Sequence, residues 1–143
     1  MHQLSRILDE KGRSVLRIDA DCSVLQAVQL MVEHNVGSLL VTDGGEVIGI
    51  VTERDYLRRV TLEGRAERET PVREIISSPL ITASPETSVD ECMALMTDRR
   101  IRHLPVLEDG QVVGVVSIGD VVKYQLDRRQ VELKYLNDYI AAR

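Results

Sequence analysis

Hydrophobic and polar positions along this chain follow two rhythms, and the rhythms recur in the same order twice. A short apolar stretch comes first, Val15-Leu16-Arg17-Ile18 and later Leu80-Ile81-Thr82, each long enough for a short strand. Ser23-Val24-Leu25-Gln26 and Ser88-Val89-Asp90-Glu91 follow, and both fit the Ser-x-x-Glu/Gln box that satisfies N–H groups at a helix start. Apolar residues then return at helical spacing: Val24, Ala27, Val28 and Met31, matched by Val89, Cys92, Met93 and Met96. Next come two strand-like runs around a glycine turn. In the first copy Ser38 to Thr42 and Val47 to Thr52 flank Asp43-Gly44-Gly45; in the second, His103 to Leu107 and Val112 to Ser117 flank Asp109-Gly110. A second helix, from about Glu53 and about Ile118, closes each unit. The predicted order is strand, helix, strand, strand, helix, twice.

The recurrence is a tandem duplication. Val15 to Val60 aligns with Leu80 to Gln125 at a constant offset of 65, without a gap. Ser23/Ser88, Val24/Val89, Leu30/Leu95, Met31/Met96, Leu39/Leu104 and Val41/Val106 are identical pairs, as are Gly45/Gly110, Val47/Val112, Gly49/Gly114, Val51/Val116 and Asp55/Asp120. Upstream, Ile7-Leu8 and Ile75-Ile76 correspond once three extra residues are allowed in the first copy. At roughly 45 residues each, the copies are too small to bury independent cores, so they are expected to share one. The expected organisation is a first motif over 7–62, a solvated linker over 63–71, a second motif over 72–126 and a C-terminal helix over 127–143. In the tail, Val122, Leu126, Leu133, Leu136 and Ile140 keep helical spacing, interrupted by Arg129, with Tyr135 and Tyr139 beside the stripe. That face needs a partner in the same chain or another.

Composition removes several functions. The formal net charge is −5, and aromatic residues make up 3% of the chain, all of them Tyr. A single-strand nucleic-acid platform needs a basic groove and stacking rings, and both are missing. No apolar run approaches the ~20 residues of a membrane helix. Met1 to Arg6 has no apolar h-region, so no secretory signal is expected and a cytoplasmic location is the default. Cys22 and Cys92 are too few and too isolated for a disulfide framework or a zinc site.

Candidate chemistry sits where the third strand of each copy turns into the second helix. The first copy has Gly49-Ile50-Val51-Thr52-Glu53-Arg54-Asp55, and the second has Gly114-Val115-Val116-Ser117-Ile118-Gly119-Asp120. Thr-x-x-Asp and Ser-x-x-Asp are helix caps, with the carboxylate also favoured at the positive end of the helix dipole. The same groups can serve a nucleotide: a carboxylate can accept from both hydroxyls of a ribose, while a hydroxyl and N–H groups face phosphate. Gly49 and Gly114, inside β-branched runs, suit the close approach of another group to the backbone. Capping and binding are compatible, since a cap needs only one oxygen of each side chain.

With these motifs and Ile101-Arg102-His103-Leu104-Pro105-Val106 in hand, Ile7 to Gln125 resembles a tandem pair of cystathionine-β-synthase (CBS) domains, a Bateman module, of the small bacterial stand-alone type. The resemblance implies an α+β fold of two pseudo-twofold-related β-α-β-β-α motifs packed sheet to sheet, followed by a C-terminal helix. It also implies two inter-motif clefts that take adenine nucleotides (AMP, ADP, ATP or an NAD-type ligand) as regulatory ligands, with no required cofactor. One cleft would use Thr52 and Asp55, with Ile81, Thr82 and Ala83 beside the base. The other would use Ser117 and Asp120, with Arg17, Ile18 and Asp19 beside the base. Arg102 and His103, next to Pro105, stand where the family often places phosphate contacts. The first copy has Gly37 and Ser38 there instead, and Arg54 is the candidate to compensate.

The leading expectation is a non-enzymatic nucleotide sensor, homodimeric by resemblance, acting on an unidentified protein target. The alternative is an interaction or assembly module with vestigial clefts, in which the tail helix and the dimer surface are the functional parts. An enzyme acting on the nucleotide is the remaining rival; no nucleophile–base pair, P-loop or metal spacing supports it, and Asp55, Asp120, Arg102 and His103 have the chemistry of binders. His34 is expected on the solvated end of the first helix, and Cys92, Met31 and Met96 in the core.

Overall fold

A computed structural model describes residues 2–76 and 80–141. Its elements are α1 (Leu4–Lys11), β1 (Arg17–Asp19), α2 (Val24–His34), β2 (Ser38–Asp43), β3 (Glu46–Thr52), α3 (Glu53–Tyr56), α4 (Val89–Arg99), β4 (His103–Glu108), β5 (Gln111–Ser117) and α5 (Ile118–Ala141). The fold is mixed α+β with two small sheets and a long C-terminal helix, as expected. The chain forms two compact units: Ser14–Ile81, and Met1–Arg13 together with Thr82–Arg143.

Local chemistry accounts for these elements in both copies. Ser23 accepts from the Gln26 N–H and Gln26 returns the bond, a complete capping box for α2. Ser88 accepts from the Glu91 N–H at 3.0 Å and caps α4. Both helices end on a residue in the left-handed region, Asn35 at φ 53° and Arg100 at φ 54°. Both hairpins turn on two positive-φ residues, Gly44-Gly45 and Asp109-Gly110, the conformation that matches strand twist. Each hairpin then slips register at one place, after Val41 and after Val106. Leu39, Val41, Val51, Ala27 and Met31 fill the core of the first unit; Leu104, Val106, Val116, Cys92 and Met96 are buried at the equivalent places of the second.

Several expectations change. The strand expected over Leu80-Ile81-Thr82 shrinks to one parallel bridge, Ala83 with Val106. In the first copy the Leu40 N–H donates to the Leu16 carbonyl at 3.1 Å. Pro105 stands at that position in the second copy and has no N–H to give, so the ladder loses a bond. The second helix of the first copy is one α turn, continued by a π-helical turn over Leu57–Thr61. In the second copy the helix runs without a break into the tail, so α5 is one 24-residue helix; residues 142–143 of the expected tail lie outside the described residues.

The stretch expected as a solvated linker is docked at its C-terminal end. The Leu25 N–H donates to the Glu67 carbonyl at 3.1 Å and the Val24 N–H to the Thr70 carbonyl at 2.9 Å, with Thr70 itself buried. Residues 70–76 thereby belong to the first unit, although they precede the second copy. The N-terminal segment does the converse in the second unit: the Val89 N–H donates to the His2 carbonyl at 2.8 Å. The equivalence extends further. Val72 donates to Cys22 and Arg73 to Ala20, while Leu4 donates to Thr87 and Ser5 to Pro85. Each leading segment completes the copy it does not precede.

This exchange explains the glycines inside β3 and β5. A Cβ on Gly114 would lie 2.5 Å from Cδ2 of Leu8, and one on Gly49 would lie 2.9 Å from Cδ1 of Ile76. The group that approaches each backbone is therefore the leading segment's own side chain, and the glycines are no argument for a ligand.

Candidate ligand site

In the first unit β3 delivers Thr52 to the start of α3, opposite Ser38 of β2. Oδ2 of Asp55 accepts from the Thr52 N–H at 2.9 Å and from its hydroxyl at 3.0 Å, while the Asp55 N–H donates to Thr52 Oγ1 at 3.2 Å. Asp55 is buried. The Glu53 N–H donates to the Gly37 carbonyl at 3.1 Å, which ties the cap to the strand beside it. Arg54, on this turn, is exposed.

The second unit repeats the device. The Ser117 N–H donates to Asp120 Oδ2 at 2.8 Å and the Asp120 N–H returns to Ser117 Oγ at 3.1 Å. Ser117 pairs with His103 across the hairpin, and the Ile118 N–H donates to the Arg102 carbonyl at 2.8 Å. The structure thus brings Arg102, His103, Ser117 and Asp120 to one end of one hairpin, with Arg102 exposed and His103 half-buried. Pro105 is buried two residues further along β4.

One residue at this second cap was not singled out from sequence. Lys11, the last residue of α1, donates from Nζ to Asp120 Oδ2 at 2.6 Å and to the Val115 carbonyl at 2.7 Å. Burial pushes the Asp120 carboxyl up, but the Lys11 ammonium and the bonds from Ser117 outweigh it and hold the group below the usual carboxylate range. Half of the signal lay in the sequence, since Lys11 is three residues after Leu8 and hence on the same helix face; that Leu8 packs on Gly114 is visible only in the structure. The residue that aligns with Lys11 in the other leading segment is Pro79, which lies outside the described residues and carries no side-chain charge.

The remaining candidates divide between the units. Arg17, Ile18 and Asp19 form β1 beside Leu40, Val41 and Thr42 in the first unit; Ile18 is buried, and Asp19 Oδ1 accepts from the Asp21 N–H. Ile81 ends that unit, whereas Thr82 and Ala83 open the second, all three half-buried. His34 is exposed, while Cys92, Met31 and Met96 are buried, and burial pushes the Cys92 thiol up to about 11. Among the described residues no His, Cys, Asp or Glu cluster could hold a metal, and no helix is long and apolar enough to cross a membrane. A groove of about 380 Å³ between α1 and α5, lined by His2, Arg6, Tyr124 and Arg128 with three carboxylates, includes no residue of either cap.

A duplicated strand-helix-hairpin-helix unit, with a hydroxyl–carboxylate cap after each hairpin, defines a tandem-repeat α+β protein. The chain belongs to the CBS domain family, whose model matches residues 11–61 and 72–127. It is 44% identical to the mitochondrial CBS domain-containing protein CBSX3 of Arabidopsis thaliana, over 96% of this chain and 71% of that one. The CBS domain-containing protein YhcV of Bacillus subtilis is 32% identical, over 86% and 87% of the two chains. Among solved structures, a CBS-domain protein of Burkholderia ambifaria superposes with a TM-score of 0.84 at 44% identity, covering 87% of this chain and 94% of that one. The hexameric CBS-CP12 protein of bloom-forming cyanobacteria gives 0.76 at 30% identity, covering 85% and 70%. Small stand-alone CBS pairs of this kind are generally regulatory proteins of the signal-transduction type.

Proposed function

We propose that this chain is a non-enzymatic sensor that binds adenine nucleotides at its two hydroxyl–carboxylate caps and responds as a cytoplasmic homodimer acting on a protein target. The observation that carries the reading is the way each cap is wired. The same carboxylate and hydroxyl close both helices: Asp55 Oδ2 accepts from the Thr52 N–H and hydroxyl, and Asp120 Oδ2 accepts from the Ser117 N–H. A carboxylate at a helix start is a strong acceptor for the hydroxyls of a ribose, and Arg102 and His103 lie beside Ser117, where they could meet a phosphate. In this reading Thr52 and Asp55 work with Ile81, Thr82 and Ala83, and Ser117 and Asp120 with Arg17, Ile18 and Asp19. Adenine would rest on aliphatic side chains and backbone, since the chain has no Phe or Trp and none of its Tyr is among these residues.

Ligand at a hundred times its Kd adds about 2.7 kcal/mol to the folded state, roughly 10 °C in Tm for a chain of this size. A melting series with AMP, ADP, ATP, NAD and S-adenosylmethionine tests the reading. At least one should raise Tm, and Asp55→Ala combined with Asp120→Ala should remove the rise from whatever lower baseline the lost caps set. Unchanged melting with all five defeats the proposal.

A second reading, assembly through the tail, has its own observation. Leu126, Leu133, Leu136, Tyr139 and Ile140 of α5 are each more than half exposed, between 53% and 62%, and one relative of the same fold is a hexamer. The partner in this reading is a second copy of the chain. Leu133→Glu with Leu136→Glu should then halve the mass measured by light scattering; a double variant of unaltered mass excludes the seam.

A further inference from the structure

We infer that Lys11 is a latch on the second cap: it occupies Asp120 while no nucleotide is bound, and transfers to the ligand's phosphate when a ribose takes its place. The inference rests on the nucleotide reading above and assigns a residue that gives the Ser117–Asp120 site its preference for phosphate. Three observations place Lys11 there. Its ammonium sits 2.6 Å from Asp120 Oδ2, the carboxylate expected to accept the ribose, and 2.7 Å from the Val115 carbonyl. Its side chain is 40% exposed and that of Asp120 is 24% exposed, so both are within reach of a ligand from solvent. Its backbone is anchored, because Leu8 one turn earlier is fully buried against Gly114.

The chemistry of exchange follows. A ribose diol donates to both carboxylate oxygens of Asp120, and so competes with the Lys11 ammonium for Oδ2. An exposed ion pair contributes little net stability, so the exchange is not costly by itself. What decides it is where the displaced cation goes. With a phosphate next to the ribose, the four-carbon stem lets the ammonium pivot to a phosphate oxygen, joining Arg102 at that end of the hairpin. With adenosine the ammonium loses its carboxylate and gains nothing. The first cap has no such residue in its leading segment's aligned position, which is Pro79, so the two sites should differ in how strongly they demand phosphate.

The test compares AMP and adenosine by titration calorimetry on the full chain and on Lys11→Met and Lys11→Arg, with Asp55→Ala added to each to silence the first cap. The unaltered second cap should prefer AMP by at least about tenfold. Lys11→Met should weaken AMP by about tenfold and leave adenosine the same or tighter, while Lys11→Arg keeps the preference. Equal losses for both ligands, or none, overturn the latch. A site-resolved measurement on the wild type needs no variant to fold: the Lys11 ε-methylene and Asp120 carboxyl resonances should move together as AMP is added. A moving Asp120 with a stationary Lys11 overturns the latch and leaves the nucleotide reading standing, whereas AMP that moves neither and produces no heat sinks both.

Discussion

The two units complete themselves by the same backbone bonds, yet their leading segments differ beyond them, and the second unit's segment brings Lys11 to its cap. His2, Leu4 and Ser5 dock on the second copy as Thr70, Val72 and Arg73 dock on the first, donor for donor. Beyond that shared stretch the segments part. The first continues as α1 through to Lys11 and reaches Asp120; the second makes one 3-10 turn over Val72–Glu74. Duplication has therefore preserved what the core needs and let the residue facing the cap diverge. The lesson is that the asymmetry to look for in a repeat lies in its docking segments, outside the aligned body.

The largest expected effect probes the docking itself. Leu8 is fully buried, so Leu8→Ala should cost about 2–5 kcal/mol through lost transfer energy and a cavity against Gly114. Ile76 makes the equivalent contact with Gly49 but is only half-buried. Ile76→Ala should therefore cost at least about 1 kcal/mol less. Urea denaturation of the two variants reads this directly, and equal losses would mean that the two segments hold their copies equally well.

Much of this was legible in advance, for identifiable reasons. The caps, the helical stripes and the glycine turns were readable because each is a local pattern with its own physical signature: Ser23 with Gln26, Met31 on the core face, Gly44-Gly45 at positive φ. The cap pairs Thr52/Asp55 and Ser117/Asp120 were readable for the same reason. The exchange of leading segments was not, because nothing local in Ile7-Leu8 or Ile75-Ile76 states which copy it packs on. Lys11 followed from that omission, since its reach to Asp120 depends on where Leu8 docks. The lost strand at Leu80-Ile81-Thr82 turned on Pro105, a residue in a different segment whose missing N–H removes a bond from its neighbour.

A smaller effect tests the close approach in the same two places. Gly114→Ala sets a methyl 2.5 Å from one methyl of Leu8 and 3.2 Å from the other, in a side chain with no room to retreat. Overpacking of this kind should cost about 1–3 kcal/mol. Gly49→Ala meets Ile76 Cδ1 at 2.9 Å, the far end of a half-buried chain that can turn aside. Its clash is offset by the ~0.4–1 kcal/mol that a Gly-to-Ala change gains through the unfolded chain. Thermal melts should rank Gly114→Ala below Gly49→Ala, and the reverse order would place the tighter dock in the first unit.

The smallest effect isolates charge from packing at the cap that the comparison singles out. Asp120 has a folded pKa below its unfolded value, so the associated stability is fully present above about pH 4 and is lost as pH falls through the folded pKa. Lys11→Met removes the cation and keeps most of the apolar stem. At pH 7 the variant should be less stable by up to about 1 kcal/mol, the range of a solvent-exposed ion pair. The gap should stay constant from pH 7 down to about pH 5 and close in more acid solution, where a protonated Asp120 no longer attracts Lys11. Urea midpoints of the two proteins between pH 2 and pH 7 measure this. A gap that persists at pH 2 would assign the effect to the lysine stem packing on β5 rather than to its charge.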